Sequence, residues 1–413
     1  MSLTARVPAL APFQVRSFRY QWPADLLASW AFEMEGVILG WFVLVSTGSV
    51  LALAVFGSLQ FLGTLISPLF GMAGDRIGNR NVLCLMRATY LTVAAALAAL
   101  FLAGLAAPWS VFVLATIMGL VRPSDITLRN LLVGETMPSH YLMRAMGVSR
   151  TTADSARVVG ALTGASLVAL LGSGPAYLGV CFFYAASLAL TFNVGIRRLR
   201  VMGDHVPPLR ALREGFAYCW STPGMRAVML LAFLVNFAAY PFVGSLLAYV
   251  AKDVYGLGQT GLGWLIACFA GGALAGSITI STHGGRIRPA RTMLACAVAW
   301  FVLNLGFSWI ESPGLGQLVL FVAGFVQSFC MIPMAVLLLR VADPAFRGRV
   351  MGVRMLVVYG MGIGLLLAGP MVEHMGFSLT GSTFSVVGIV FTVLIGVGWR
   401  RHLWDIHAEA NAR

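Results

Sequence analysis

The sequence predicts an all-α integral membrane protein, with twelve transmembrane helices arranged as two pseudo-symmetric six-helix bundles. Three observations carry this prediction: a composition too apolar for water, twelve apolar runs of spanning length, and short words repeated between the two halves.

Of 413 residues, 59% are hydrophobic and 10% charged, and the mean hydropathy is +0.86. Soluble domains carry roughly a quarter charged residues. Crossing a hydrocarbon core takes about 20 apolar residues as helix, because lipid offers the backbone no hydrogen-bond partner. The formal charge of +13 comes from 28 basic residues, of which only Lys252 is lysine. Most arginines sit in short loops between apolar runs, the pattern that reports orientation and not a polyanionic partner. No nucleic-acid partner is expected.

The elements follow in order. The first twenty residues carry Arg6, Arg16 and Arg19 but no compact apolar segment with a cleavage site, so no removable signal peptide is expected. Apolar runs then fall at 22–46, 50–71, 82–104, 109–133, 145–170 and 175–196, and after a break at 224–248, 257–281, 291–310, 314–339, 350–371 and 377–399. The fourth and fifth carry charges well inside. With the N-terminus in the cytoplasm, the cytoplasmic turns receive Arg76, Arg80, Arg144, the "RRLR" at 197–200, Arg286, Arg288, Arg291, Arg340, Arg347, Arg349, Arg400 and Arg401. The other side keeps Lys252. That asymmetry predicts an even span count and two cytoplasmic termini. The arginine- and alanine-rich composition suggests a high-GC bacterium, and hence a multi-pass protein of the bacterial inner membrane.

The break at 197–223 divides the chain into an N-terminal bundle (1–196), a linker, and a C-terminal bundle with a short tail (224–413). Within the linker, Leu209, Leu212, Phe216 and Trp220 recur at helical spacing, with Arg210, Arg213 and Glu214 off that stripe. An amphipathic helix on the inner leaflet is expected, with membrane lipid as its partner. The halves echo each other: "RAMGVSR" (144–150) opens the fifth run and "RVMGVRM" (349–355) the eleventh, 205 positions on. The same offset carries Gly71 to Gly276, just ahead of a second basic glycine turn, "THGGRIR". A parallel six-helix repeat is the organisation of transporters that rock around a central site.

Between the second and third runs stands "GMAGDRIGNRN" (71–81). Glycines allow a tight turn and close helix approach. An acid there can meet the positive start of another helix, and arginines can pair with it, with helix-end carbonyls or with lipid phosphates. With twelve spans and a central linker, this motif resembles the major facilitator superfamily, whose pattern is G-x-L-A-D-R-x-G-R-R. Gly71, Asp75, Arg76, Gly78 and Arg80 fit, while Ala73, Gly74 and Asn79 depart. The resemblance implies that span eleven lies beside the motif and that the cluster latches the two bundles on the cytoplasmic side. A narrower resemblance, to the enterobactin-exporter-like branch of drug:proton antiporters, rests on "SFRYQW", "TGSVLALAVFGSLQFLGTLISPLFG" and "SARVVGALTG", where Ala161 replaces the branch's usual proline. It implies proton-driven export of a small amphipathic compound, siderophore- or drug-like, by a monomer.

Ionisable side chains inside spans are functional candidates by default. Span one has Glu33 and Glu35; span four has Arg122, Asp125 and Arg129 on one face; span five has Arg150, Asp154 and Arg157 on one face. Four arginines against four carboxylates sum to zero, as low dielectric demands. Ser29, Glu33, Gly36 and Gly40 form a polar stripe that marks Glu33 as the preferred proton carrier, a plain salt bridge being the alternative. Glu35, about 200° around the helix, reads as a structural partner for an arginine. Structural pairing of spans four and five is the alternative for their charges. Pro123 is expected to kink span four. Gly160/Gly164 and Gly360/Gly364 are G-x-x-x-G pairs. The second half is nearly free of intramembrane charge and reads as an apolar substrate wall. The cavity candidates are Trp30, Gln60, Asn236, Tyr240 and Gln327.

The six cysteines are scattered without a C-x-x-C, and read as small core residues and not as disulfides or a metal site. All six histidines fall in loops or the tail, and there is no phosphate-binding G-x-x-x-x-G-K-[ST] loop. No enzyme, cofactor or metal is expected. Within transporters, a proton-independent facilitator or a lysophospholipid flippase is the alternative to antiport.

Overall fold

Lipid leaves the backbone to bond with itself, so each apolar run folds as a helix. The computed structural model describes residues 8–195, 208–283, 288–343 and 346–404, and no strand occurs among them. A 3-10 segment, Pro8–Gln14, leads into α1 (Arg16–Thr47). The second crossing is α2 (Val50–Leu59) followed by α3 (Gly63–Ile77). The first half is completed by α4 (Asn79–Leu102), α5 (Pro108–Thr136), α6 (Ser139–Leu171) and α7 (Ser173–Phe192). The linker helix α8 (Pro208–Ser221) bends by 108° into α9 (Pro223–Ala238). Past α9 the seventh crossing continues in pieces, α10 (Tyr240–Val243), α11 (Leu247–Tyr249) and a π turn over Val250–Val254. Then come α12 (Gln259–His283), α13 (Pro289–Phe307), α14 (Pro313–Val341), α15 (Arg347–Val358) and α16 (Gly360–Gly398).

Ten helical stretches among the described residues are long and apolar enough to cross a membrane, against twelve predicted runs. Two features account for the difference. The last stretch, Gly348–Gly398, has 51 residues; at about 1.5 Å per residue that is more than twice a ~30 Å hydrocarbon core. Gly376, at φ 82°, a backbone region open to glycine, turns it back, so it serves as both the eleventh and twelfth crossings. The seventh run is broken because Pro241 has no backbone donor to give. The Asn304 amide on α13 donates to the Ala239 carbonyl at that break (3.1 Å). Pro123, in contrast, lies inside α5 without interrupting it.

The sequence repeat reappears as repeated packing. Gly160 and Gly164 on α6 seat α1: a Cβ at Gly160 would lie 2.8 Å from Glu33 Cβ, and one at Gly164 2.8 Å from Met34 Cα. Gly360 and Gly364 on α16 seat α9 in the same way, against the Phe233 ring (3.1 Å) and the Phe237 carbonyl. Within each half the fifth crossing thus packs on the first through a small-residue stripe. Between halves, α6 lies against α12 and α2 against α16, with α3 beside α15 at one end and α1 touching α11 at the other.

The linker stripe divides in two. Leu212 faces Gly352 on α15, and Gly215 sits against the Arg349 backbone. Phe216 and Trp220 stack on each other and stay more than half exposed. Glu214 accepts from Arg210 (3.0 Å) and pairs with Arg349 (3.2 Å). The Tyr218 hydroxyl accepts from the Asp343 backbone N–H (3.1 Å) while its ring stacks on Phe346. The linker therefore clamps the start of α15. Burial pushes the Cys219 thiol of α8 up to about 11, which leaves it inert as a nucleophile.

Gly164→Val, which forces α6 from α1, is expected to lower the melting temperature in detergent by several degrees or abolish folded yield. Gly134→Ala, where a Cβ meets nothing within 4 Å, is expected to leave it unchanged or slightly raised.

Candidate functional site

The ionisable side chains of the first half gather around α1, and its helical spacing sorts them into three clusters. The first lies toward the α3–α4 turn. Arg87 of α4, wholly buried, forms an ion pair with Asp25 of α1 and donates to Thr191 Oγ1 and to the Ser187 carbonyl (3.4 Å) on α7. Arg129 of α5 pairs with Asp125 one turn back, approaches Asp25 at 3.6 Å and donates to Ser29 Oγ (2.7 Å) and the Asp25 carbonyl (3.2 Å). Two arginines and two aspartates close a neutral quartet that ties α1, α4, α5 and α7 together. Sequence reasoning missed Asp25 and Arg87. The signal was there, since both fall inside apolar runs and meet the criterion applied to spans four and five.

The second cluster is at mid-helix. Glu35, 2% exposed, accepts from the hydroxyls of Tyr184 (3.1 Å) and Tyr177 (3.2 Å) on α7. It lines a small cavity together with Gly36, Phe56, Gln60, Met118 and Arg122. Arg122 does not turn to Asp125; it donates to Gln60 Oε1 (3.0 Å) and the Phe32 carbonyl (2.6 Å). Gln60 is thus engaged inside the N-terminal half. Glu35 is held by two phenols and not, as expected, by a direct arginine contact.

The third cluster faces the second half. Glu33 lies 3.5 Å from Arg157 of α6, with side chains 25% and 38% exposed. Asp154, one turn before Arg157, is buried. Trp30 stacks on Phe183 (5.3 Å, 14°) and donates to Thr163 Oγ1 (3.4 Å). Tyr240 of the other half is within electrostatic reach of Arg157 and accepts from Gln327 Nε2 (2.7 Å). The Asn236 amide turns inward, onto the Ala232 carbonyl of its own helix (2.8 Å).

In the motif, Gly78 is the single residue between α3 and α4, at φ 90°, a conformation that favours glycine. Asn79 donates to Glu135 Oε1 on α5 (2.6 Å), and its Oδ1 fills the space a Cβ at Gly74 would take. Two of the three departures from the superfamily pattern, Gly74 and Asn79, are therefore one linked change. Arg80 donates to the Val194 (3.2 Å) and Phe192 (3.4 Å) carbonyls at the end of α7, where a helix terminus welcomes a cation. Arg76 is exposed. The side chains of Gly71, Asp75 and Arg150, and the Gly284–Arg286 turn that echoes the motif, lie outside the described residues.

Removing one partner of a buried ion pair costs roughly 3–5 kcal/mol, whereas removing both costs much less. Arg87→Met is therefore expected to lose most folded protein in detergent, and Arg87→Met combined with Asp25→Asn to recover a good part of it. Fluorescence-detected gel filtration against temperature reads both.

The comparisons bear on the family and the fold. The sequence profile of the family described as transmembrane secretion effectors matches residues 7–412. The multidrug efflux pump Tap of Mycobacterium tuberculosis is 24% identical over 398 residues, covering 91% of each chain. The multidrug resistance protein MdtG of Enterobacter lignolyticus is 24% identical over 84% of this chain and 82% of its own. Among solved structures, the POT family transporter PepTSo superposes with a TM-score of 0.75 at 13% identity, covering 94% of this chain and 98% of its own. A bacterial homologue of the human lysosomal transporter Spinster, caught inward-facing and unoccupied, gives 0.69 at 14% identity over 94% and 96%. Twelve crossings in two like halves, the glycine turn at Gly78 and the full-length profile match together place the chain in the transmembrane secretion effector family of major facilitator superfamily transporters.

Proposed function

We propose that this transporter exports a small amphipathic compound, siderophore- or drug-like, in exchange for protons, by alternating access between its two bundles. The observation that carries the reading is the Glu33–Arg157 pair. At 3.5 Å and part exposed it is a loose pair, set where the halves face each other, and it separates when they rock. A carboxylate that loses its arginine and its water takes up a proton, and one that regains them gives it back. Glu35, clasped by two phenols, has no such freedom and is a fixed acceptor in the cavity that Arg122 and Gln60 also line.

Efflux-pump relatives at 24% identity support the direction of transport. The cavity wall from the second half is formed by Tyr240 with Gln327, and from the first by Trp30 beside Glu33. The asymmetry of arginines supports a bacterial inner-membrane protein with both termini cytoplasmic; the sequence repeat supports bundles at 1–196 and 224–413 joined by a linker (197–223) that carries an amphipathic helix, and the superfamily resemblance supports a monomer. The Gly71–Arg80 turn then lies at the cytoplasmic gate.

Proton flux in everted vesicles tests this. Vesicles are energised and then challenged with catecholate siderophores, lipophilic cations and lysolipids. One class is expected to release the gradient with wild type and with Glu35→Gln, which keeps an acceptor for the tyrosines, but not with Glu33→Gln. Carriage of a compound with no proton movement would make this a facilitator or flippase and end the case for Glu33.

A further inference from the structure

Glu373 stands on α16 one turn before the Gly376 bend, at the end of the eleventh crossing and on the face opposite the Gly71–Asn81 turn. Its Oε1 accepts from Ser49 Oγ (2.7 Å) and from the Leu51 backbone N–H (2.9 Å). Ser49 is the N-cap of α2, and its own oxygen already accepts from the Ala52 N–H (3.2 Å). A helix start leaves several N–H groups without partners, and one cap side chain closes one of them. The next is closed by a carboxylate from the other bundle, whose charge also suits the positive end of the helix. Gly369, one turn earlier, makes the approach feasible: a Cβ there would lie 2.7 Å from Ala54 Cβ and 3.3 Å from Leu51 Cα.

At the opposite face the same two crossings meet again, where α3 ends the second crossing beside α15, which begins the eleventh. We propose that Glu373 is a positioning residue of the transport cycle: it latches the bundles at the outer face by capping α2. The state with the outer gap closed keeps this carboxylate on the helix start, and the state with the outer gap open releases it. The proposal rests on the two-bundle fold and the rocking reading but not on proton coupling, so distances measured without substrate or gradient test it separately.

Spin labels at Leu105→Cys and Glu311→Cys, both exposed on the outer side of their bundles, report the outer gap by electron–electron dipolar spectroscopy, with the six native cysteines replaced. Glu373→Ala is expected to raise the ratio of open to closed outer gap roughly 2- to 30-fold, the range of a lost helix cap; because the carboxylate is exposed, the low end applies. Glu373→Gln, which keeps an acceptor oxygen, shifts it less. Ser49→Ala shifts it the same way. Melting curves on the same samples exclude unfolding. An outer distance unmoved by both Glu373→Ala and Ser49→Ala overturns the latch.

Discussion

An ionised group at membrane depth must be neutralised by another, and this constraint orders the N-terminal half. The Asp25–Arg87–Arg129–Asp125 quartet leaves no net charge and ties four helices together. Buried pairs of this kind contribute little net stability over an apolar core, yet breaking one is costly. They act chiefly as a registration device, holding α1 in one rotation about its axis. That rotation decides where the next charges point: Glu35 toward the α7 tyrosines, Glu33 toward α6 and the facing bundle. The C-terminal half has no comparable quartet among its described residues. Its cohesion is aromatic, with Phe242, Phe377 and Phe384 in contact and Trp300 edge-on to Tyr240. Such ring contacts are worth about 0.5–1.5 kcal/mol each beyond area burial and are weaker constraints than an ion-pair network.

This division explains why glycines are spent inside bundles. The close backbone approaches of α6 on α1 and of α16 on α9 make each half one body. In the proposed cycle, rocking occurs along the α6–α12 and α2–α16 seams. Gly263 lies against Ala165 on the first seam, and Gly369 against Ala54 on the second. Smooth, small-residue seams give surfaces that slide or part without leaving buried polar groups exposed to lipid.

Much of this was legible in the sequence, and the parts that were not have definite causes. Apolar length and arginine placement are one-dimensional signals, so the crossings and the linker read directly. The broken seventh helix was not legible, because a proline in an apolar run looks the same whether the helix continues through it, as at Pro123 in α5, or is interrupted, as at Pro241. Spacing put Glu33 and Glu35 on different faces and the structure keeps them apart. Their partners were hidden: Tyr177 and Tyr184 sit seven positions apart on α7 and pass for core aromatics until a carboxylate is found between them. Arg122 and Asp125, three apart, looked paired. Helical side chains lean toward the N-terminus, which lets Arg129 reach back to Asp125, whereas Arg122 leans away from it toward Phe32 and Gln60. Arg87 was passed over because it stands alone in its run, and Asp25 because it lies at the start of a run in which Glu33 and Glu35 already drew notice.

The magnitudes also fit the placement of the latches. States that must interconvert during each cycle have to lie within a few kcal/mol of each other, since shifting an equilibrium from 1:99 to 99:1 already takes about 5.5 kcal/mol. A buried ion pair of several kcal/mol across the seam would trap one state. A carboxylate capping an exposed helix start contributes about 1 kcal/mol, enough to bias a state and small enough for substrate binding to overcome. The strong pairs are accordingly found within the first bundle, where nothing needs to break, while the Glu373 contact between bundles lies at a helix end open to water. The loose Glu33–Arg157 pair faces the same seam. Its partial exposure limits its strength in the same way, so separating it costs little enough for the rocking of the halves to govern it.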